Sequence, residues 1–394
     1  MDKTYHIEID CAQKNHDGER ICGDVFVTKK IIGEDRVITV LSDGMGHGVK
    51  ANILATLTAT MALNFTQEHK DPAPIAELIM NTLPICSIRK ISYSTFTIVD
   101  IENNNRVTII EYDNPRTSVY RNNRLFDPPW QCIILNSEKN AGKEIFTCSF
   151  DLEKGDRILF WSDGITQSGL GTNKYPLGWG IESIQYYVET QLSQYPYISA
   201  RQLSNKVVNK AVANDIYKPK DDTSCASIYY RDPRKLLICT GPPYEKEKDK
   251  ELVEKFKAFK GKKILCGATT ADIISRELNV KIIDSFDFTD KELPPVSSME
   301  GADLITEGIL TLSKVKRILE KITHNTVLGK GPADEIIKLI HESDQIHFII
   351  GTRINIAHQD PTLPIDLEIR RTVIKQIAKL LQEKLLKEVF ISYI

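Results

Sequence analysis

Four acidic positions in the first part of the chain share a pattern that suits metal-assisted chemistry. Asp24 follows Gly23 at the head of an alternating apolar stretch. Asp43 and Asp163 each close an apolar run and precede a glycine, in Ser42-Asp43-Gly44 and Ser162-Asp163-Gly164. Asp221-Asp222 stands before Thr223-Ser224 and another apolar stretch. Taken singly, each is an ordinary turn signal. Taken together, they describe strands that deliver carboxylates to one end of a sheet. Clustered carboxylates repel, and some stay protonated unless a cation neutralises them. An oxygen-only donor set selects Mg2+ or Mn2+ over zinc, and the Gly44 carbonyl is free to join it. Two such ions can bridge a hydroxide that is nucleophilic at neutral pH and clamp a phosphoryl oxygen, which is the chemistry of phosphoester hydrolysis.

The elements that must position these acids can be read from periodicity. Tyr5–Cys11 and Asp24–Ile32 alternate, and Val37–Leu41 is an apolar run, so all three read as strands. An antiparallel hairpin would put Asp24 and Asp43 at the same end. After Gly48, the residues Val49, Ile53, Leu57 and Met61 recur at helical spacing with alanines between them, an amphipathic helix suited to lying close on a sheet. A second helix starts after Asp71-Pro72. Strands are expected over 93–101, 106–112, 118–120, 132–135, 144–150 and 157–162, with a turn at Asn103-Asn104-Asn105. Helices are expected over 180–192 and 200–217, and a last strand over 225–230. The expected fold class is α+β: two antiparallel sheets sandwiched and flanked by helices over residues 1–233.

The character changes after Pro233. Strands (235–239, 263–266, 280–283, 345–350) alternate with helices (245–259, 270–278, 365–386), which predicts a smaller α/β domain over 234–394 with a parallel or mixed sheet. Gly267, Thr306-Glu307-Gly308 and Gly351-Thr352-Arg353-Ile354-Asn355 fall near expected strand ends, where open α/β sheets bind ligands. Gly329-Lys330-Gly331 matches no phosphate loop, and Pro332 reads as a helix start. Two readings stay open for this unit: a small-ligand site, or an interaction module that could support a homodimer.

Composition bounds the partners. Among 394 residues the formal net charge is −2, so no basic field argues for nucleic acid or an anionic membrane. No apolar run approaches the ~20 residues of a spanning helix, and the polar start resembles no signal peptide. The eight cysteines form no CxxC and mostly sit in apolar surroundings, as buried thiols do in a cytoplasmic protein.

The ordered set Gly23-Asp24, Ser42-Asp43-Gly44-Met45-Gly46-His47-Gly48, Ser162-Asp163-Gly164-Ile165 and Asp221-Asp222-Thr223 resembles the PPM metal-dependent protein phosphatases. The Asp-Gly-Met-Gly-His-Gly form resembles the bacterial branch of the stage II sporulation protein E phosphatase. The resemblance covers roughly residues 1–233. It implies an α/β-β/α sandwich, a dinuclear Mn2+ or Mg2+ centre, and hydrolysis of phosphoserine or phosphothreonine without a phosphoenzyme. It implies that Asp43 bridges both metals with the Gly44 carbonyl, that Asp24 holds one, and that Asp163 and Asp221 (or Asp222) hold the other. It further implies a phosphorylated signalling protein as substrate, of the anti-sigma-factor-antagonist kind. Many eukaryotic members carry a histidine directly after Asp-Gly as general acid. Met45 stands there in this chain and His47 two residues later, with a packing or a catalytic role. Arg20, four residues before Asp24, sits where many eukaryotic members hold the phosphate, or is a solvated surface residue. The competing readings are a non-catalytic sensor on the same fold and a small-metabolite phosphatase.

Overall fold

A computed structural model describes residues 5–31, 33–68, 71–83, 94–102, 105–322, 326–353 and 365–394. The chain divides into two compact units, Met1–Asp232 and Pro233–Ile394. No helix among the described residues is long and apolar enough to cross a membrane.

In the first unit, β1 (His6–Lys14), β2 (Val25–Ile31) and β3 (Arg36–Gly44) lead into the helices α1 (Gly48–Glu68) and α2 (Pro72–Thr82). A run of strands follows: β4 (Ser94–Glu102), β5 (Arg106–Tyr112), β6 (Ser118–Arg121), β7 (Arg124–Phe126), β8 (Gln131–Ile134), β9 (Glu144–Asp151) and β10 (Arg157–Trp161). The unit closes with α3 (Asp163–Thr166), α4 (Ile181–Gln194), α5 (Ala200–Asn214) and β11 (Thr223–Arg231). Two sheets form, in the orders β1-β11-β10-β6-β7 and β2-β3-β4-β5-β9-β8, and every pairing within them is antiparallel. Alternation explains the layers. One face of each sheet, with Leu41, Val99 and Ile109 from one and Phe160, Ala226 and Ile228 from the other, meets in a shared core. The opposite faces take helices. Ile38, Val40 and Ile98 pack under α1 and α2, and Tyr120, Leu159 and Trp161 under α4 and α5. The result is an α/β-β/α sandwich.

Three local expectations are corrected. The expected apolar stripe of α1 faces the sheet only at its far end: Val49, Ile53 and Leu57 are 57%, 61% and 47% exposed, Met61 packs against the core, and Ala51, Ala55, Ala59 and Ala62 are fully buried. At the start of α1 the sheet lies too close for larger side chains, since a Cβ on Gly44 would stand 2.1 Å from the Ala51 carbonyl oxygen. Accordingly, Ala55→Leu should destabilise the protein by about 1–3 kcal/mol, whereas Leu57→Ser should change stability by no more than about 0.5 kcal/mol. Urea unfolding measures both. The second correction is β1, which runs on through Gln13 and Lys14 instead of stopping at Cys11. The third is the strand expected over 280–283. Asn279 takes a left-handed conformation (φ 55°) and the Val280 amide bonds back to Ser275, so only Ile283–Asp284 extends. Of the cysteines, Cys148, Cys225, Cys239 and Cys266 are buried but Cys132 is exposed. Cys86 and the Asn103-Asn104 part of the expected turn lie outside the described residues.

In the second unit, β12 (Lys235–Thr240), α6 (Asp249–Ala258), β13 (Lys262–Cys266), α7 (Ala268–Leu278), β14 (Ile283–Asp284), β15 (Ser297–Met299) and β16 (Ala302–Thr306) come first. They are followed by α8 (Ile309–Lys321), α9 (Pro332–His341), β17 (Gln345–Ile350), α10 (Ile365–Lys384) and β18 (Glu388–Tyr393). The sheet order is β14-β15-β16-β13-β12-β17-β18, parallel from β16 to β18 with an antiparallel edge at β14 and β15. Helices cover both faces, α8, α9 and α10 on one and α6 and α7 on the other.

Candidate active site

The two hairpin acids reach one end of their sheet because β2 and β3 pair with Val25 opposite Ser42. In the other sheet, β10 pairs with β11 so that Trp161 lies opposite Cys225, and β1 pairs with Thr223 at Lys14. Asp163, Asp222 and His16 therefore leave that sheet at one end. The two ends meet, since the Gln13 side-chain amide donates to the Asp24 carbonyl at 3.3 Å and to Ser224 Oγ at 3.0 Å.

The serine and glycine of each Ser-Asp-Gly have separate tasks. Ser42 Oγ donates to the Thr95 carbonyl at 2.8 Å, and Ser94 Oγ donates to the Asp43 carbonyl at 2.8 Å, which clamps the backbone that carries Asp43. Ser162 Oγ accepts the Ser224 amide at 3.0 Å and so ties β10 to β11 beside Asp163. The glycines allow close approach. A Cβ on Gly164 would stand 2.2 Å from the Asp222 carbonyl oxygen, and one on Gly23 would stand 2.6 Å from Asp222 Oδ2.

The acids converge and are short of partners. Burial and then the charges of Asp24, Asp163 and Asp221 hold the Asp43 carboxyl well above its usual range. Burial raises the Asp163 carboxyl as well. Asp24 is pushed up to about 7, chiefly by burial, with the Asp222 and Asp163 charges adding. Asp221 is pushed up to about 6 by burial and by Asp163. Its Oδ1 accepts the Asp222 amide at 2.8 Å. The Asp222 side chain faces β1 and Gly23: Oδ1 accepts the His16 amide at 3.0 Å, and Oδ2 lies against Gly23. Thus both residues of the Asp221-Asp222 pair belong to the cluster, one bearing on Asp163 and Asp43, the other on Asp24.

His47 stands at the margin. Its Nδ1 lies 2.8 Å from Glu19 Oε1 and its ring stacks on His16 at 4.3 Å, with half of the side chain exposed. Its described contacts go to Glu19 and His16, not to the acids. Arg20 is exposed. Sequence reasoning did not single out His16, Glu19, Gln13 or Gln167, whose Nε2 donates to Asp163 Oδ2 at 2.8 Å. His16 and Gln13 carry no local motif and meet the acids only through pairing of β1 with β11.

Among the described residues, no group of three or more His, Cys, Asp or Glu is already arranged to hold a metal ion. The donor chemistry nevertheless fits a hard cation. Both Asp24 carboxylate oxygens, Asp163 Oδ1 and Asp222 Oδ2 are buried without a hydrogen-bond partner. Such groups are costly unless a cation or proton meets them.

Residues 33–228 match the family model described as stage II sporulation protein E (SpoIIE). No curated protein matches the chain. Among solved structures, the phosphatase domain of SpoIIE from Bacillus subtilis is 12% identical, with a TM-score of 0.44, covering 59% of this chain and 95% of that one. RsbX, solved in complex with magnesium, is 18% identical with a TM-score of 0.41, covering 58% and 96%. The catalytic domain of the serine/threonine phosphatase PstP, solved with two manganese ions, is 13% identical with a TM-score of 0.39, covering 58% and 100%.

Proposed function

We propose that this protein, whose residues 33–228 match the family model of stage II sporulation protein E, hydrolyses phosphoserine or phosphothreonine on a protein substrate. The observation that carries the reading is the convergence of five aspartates, with buried and unpartnered oxygens, where the two sheets of the sandwich end. Asp24, Asp43, Asp163, Asp221 and Asp222, with the Gly44 carbonyl, are the groups that would hold two Mn2+ or Mg2+ ions. Held there, divalent cations neutralise the carboxylates, attract a phosphoryl group and make water a competent nucleophile at neutral pH. Substrates of the family's signalling kind, small phosphorylated regulators such as anti-sigma-factor antagonists, fit this reading.

The chain's own residues supply position and proton handling. Ser42 and Ser94 keep the Asp43 backbone in place, and Gln167 orients Asp163. A cleft of about 460 Å³ bordered by His16, Asp17 and Glu19 lies beside Asp222 and offers room for the peptide flanking the phosphoresidue. Glu19 is a carboxylate and accepts only, so it keeps a proton on His47 Nδ1 and leaves Nε2 to exchange one. His47 is the side chain available to protonate the serine leaving group.

The test is Mn2+-dependent turnover of a phosphoserine peptide and of p-nitrophenyl phosphate by the folded full chain. Absence of turnover on both would sink the enzyme reading. In the same assay, His47→Ala should lower kcat on the peptide by about 10²-fold, the low end for general acid catalysis. It should leave p-nitrophenyl phosphate nearly unchanged, because that leaving group needs no proton. Equal loss on both substrates would remove His47 from the proton path.

A further inference from the structure

The second unit carries a built cavity that the phosphatase reading does not use. In chain order its parallel strands are β12, β13, β16, β17 and β18, and in space they stand third, second, first, fourth, fifth. The order reverses between β12 and β17. In an open α/β sheet, that reversal opens a crevice beyond the carboxyl ends of the strands. A cavity of about 840 Å³ lies there, lined by the ends of β12, β13 and β16 and by the segment after β17.

Three features of the lining point to an anion. First, α7 follows its N-cap Gly267 with no side-chain cap, so the amides of Ala268 and Thr269, which line the cavity, present the positive end of the helix dipole to it. Second, Thr270, in the first turn of that helix, is 1% exposed, lines the cavity, and its hydroxyl has no hydrogen-bond partner. A buried hydroxyl in that condition is costly unless a ligand completes it. Third, Arg353 and Arg370 line the same space from the β17 side. The loops there are in tight contact: a Cβ on Gly351 would stand 2.1 Å from the Pro242 carbonyl oxygen, and one on Gly241 would stand 2.6 Å from Arg370 Nη1. Glycine at 351 lets the backbones meet, and glycine at 241 leaves room for the Arg370 guanidinium at the end of β12.

The lining acids do not cancel this. Glu307 Oε2 accepts the Leu310 and Thr311 amides at 3.0 and 3.2 Å, so it caps α8. Asp284 accepts the Ser297 hydroxyl, and Asp272 is exposed to water on α7. One helix amino end is thus filled by the chain itself, and the other, at Gly267, is left open.

Phe286 and Phe288 line the rim and are 85% and 73% exposed. Aromatic faces held at the mouth of a phosphate site suit a flat ring on the ligand. The geometry points to a nucleoside phosphate as the occupant. Its phosphate sits on the amides of α7, the Thr270 hydroxyl and the two arginines, and its base lies against the two phenylalanines.

Isothermal titration of the full chain in EDTA tests this, because without divalent ions the aspartate cluster repels phosphates. AMP is expected to bind at least tenfold more tightly than either adenosine or inorganic phosphate. Arg353→Ala, at an exposed position, should weaken AMP about tenfold or more, and Thr270→Val should weaken it without changing the melting temperature appreciably. Phe288→Ala should weaken AMP but not inorganic phosphate. No heat with AMP, ADP or ATP at millimolar concentration would overturn the inference. So would adenosine binding as tightly as AMP, or AMP binding indifferent to both Arg353→Ala and Thr270→Val.

Discussion

Replacing Asp43 with asparagine is expected to lower kcat/KM on a phosphoserine peptide by at least about 10³-fold at saturating Mn2+, while the protein remains folded. The size follows from its place. Under the proposed function Asp43 would hold the metal ions, whose charge stabilisation of the transition state is worth several kcal/mol, and each 1.36 kcal/mol is about tenfold in rate. Retention of the fold follows from the cluster's own electrostatics. Burial and the charges of Asp24, Asp163 and Asp221 push the Asp43 carboxyl toward its neutral form. Asparagine is close to that neutral form in shape and hydrogen-bonding capacity, so the metal-free protein accepts it. Steady-state kinetics over a Mn2+ titration, with a circular-dichroism melt of the same sample, separate the two effects. A variant that kept more than a tenth of wild-type turnover would show that Asp43 is not central to the reaction.

Stability of the metal-free protein is expected to fall as pH rises from about 5 to 8, and divalent cations should reverse the fall. Below about pH 4 these carboxyls are protonated in both folded and unfolded chains, and no penalty exists. Asp221 then titrates near 6 and Asp24 near 7 in the fold, against 3.8 for the model carboxyl. In that window the folded chain still holds protons that the unfolded chain has released, so stability declines with pH, and the penalty is complete above about pH 7. For Asp24 alone the upper figure is on the order of 4 kcal/mol. In a unit of this size that amounts to about 10 °C in melting temperature. Mn2+ or Mg2+ should raise the melting temperature more at pH 8 than at pH 5, since cations bind the deprotonated set. Glu111, also buried and pushed up to about 7, acts in the same direction. The difference between wild type and Asp24→Asn isolates the cluster: the variant should be more stable than wild type at pH 8 in EDTA and should lose most of the cation-induced shift. A melting temperature that stays flat or rises over this range in EDTA would sink the account.

Local sequence was enough to nominate the chemistry and the layers. Alternation marks β1 and β2 as strands, and an apolar run ended by Ser-Asp-Gly marks β3 and β10 and places an acid at the end of each. Those signals are local, because a strand's side-chain period and a turn's glycine depend only on neighbours along the chain. The same locality explains what was missed. The stripe of Val49, Ile53 and Leu57 has the period of a buried helix face, yet the sheet approaches so closely at Gly44 and Ala51 that the first half of α1 lays alanines against it and leaves the stripe exposed. Hydrophobicity ranks candidates for burial, but the space available between elements decides among them. His16 and Gln13 likewise came to the acids through pairing of β1 with β11, across about two hundred residues of chain, which no spacing rule reaches. The sequence by itself determined which strands end in acids. Tertiary structure alone decided that five of those acids share one desolvated place, because their mutual repulsion and their need for a proton or a cation arise only when the two sheets are stacked.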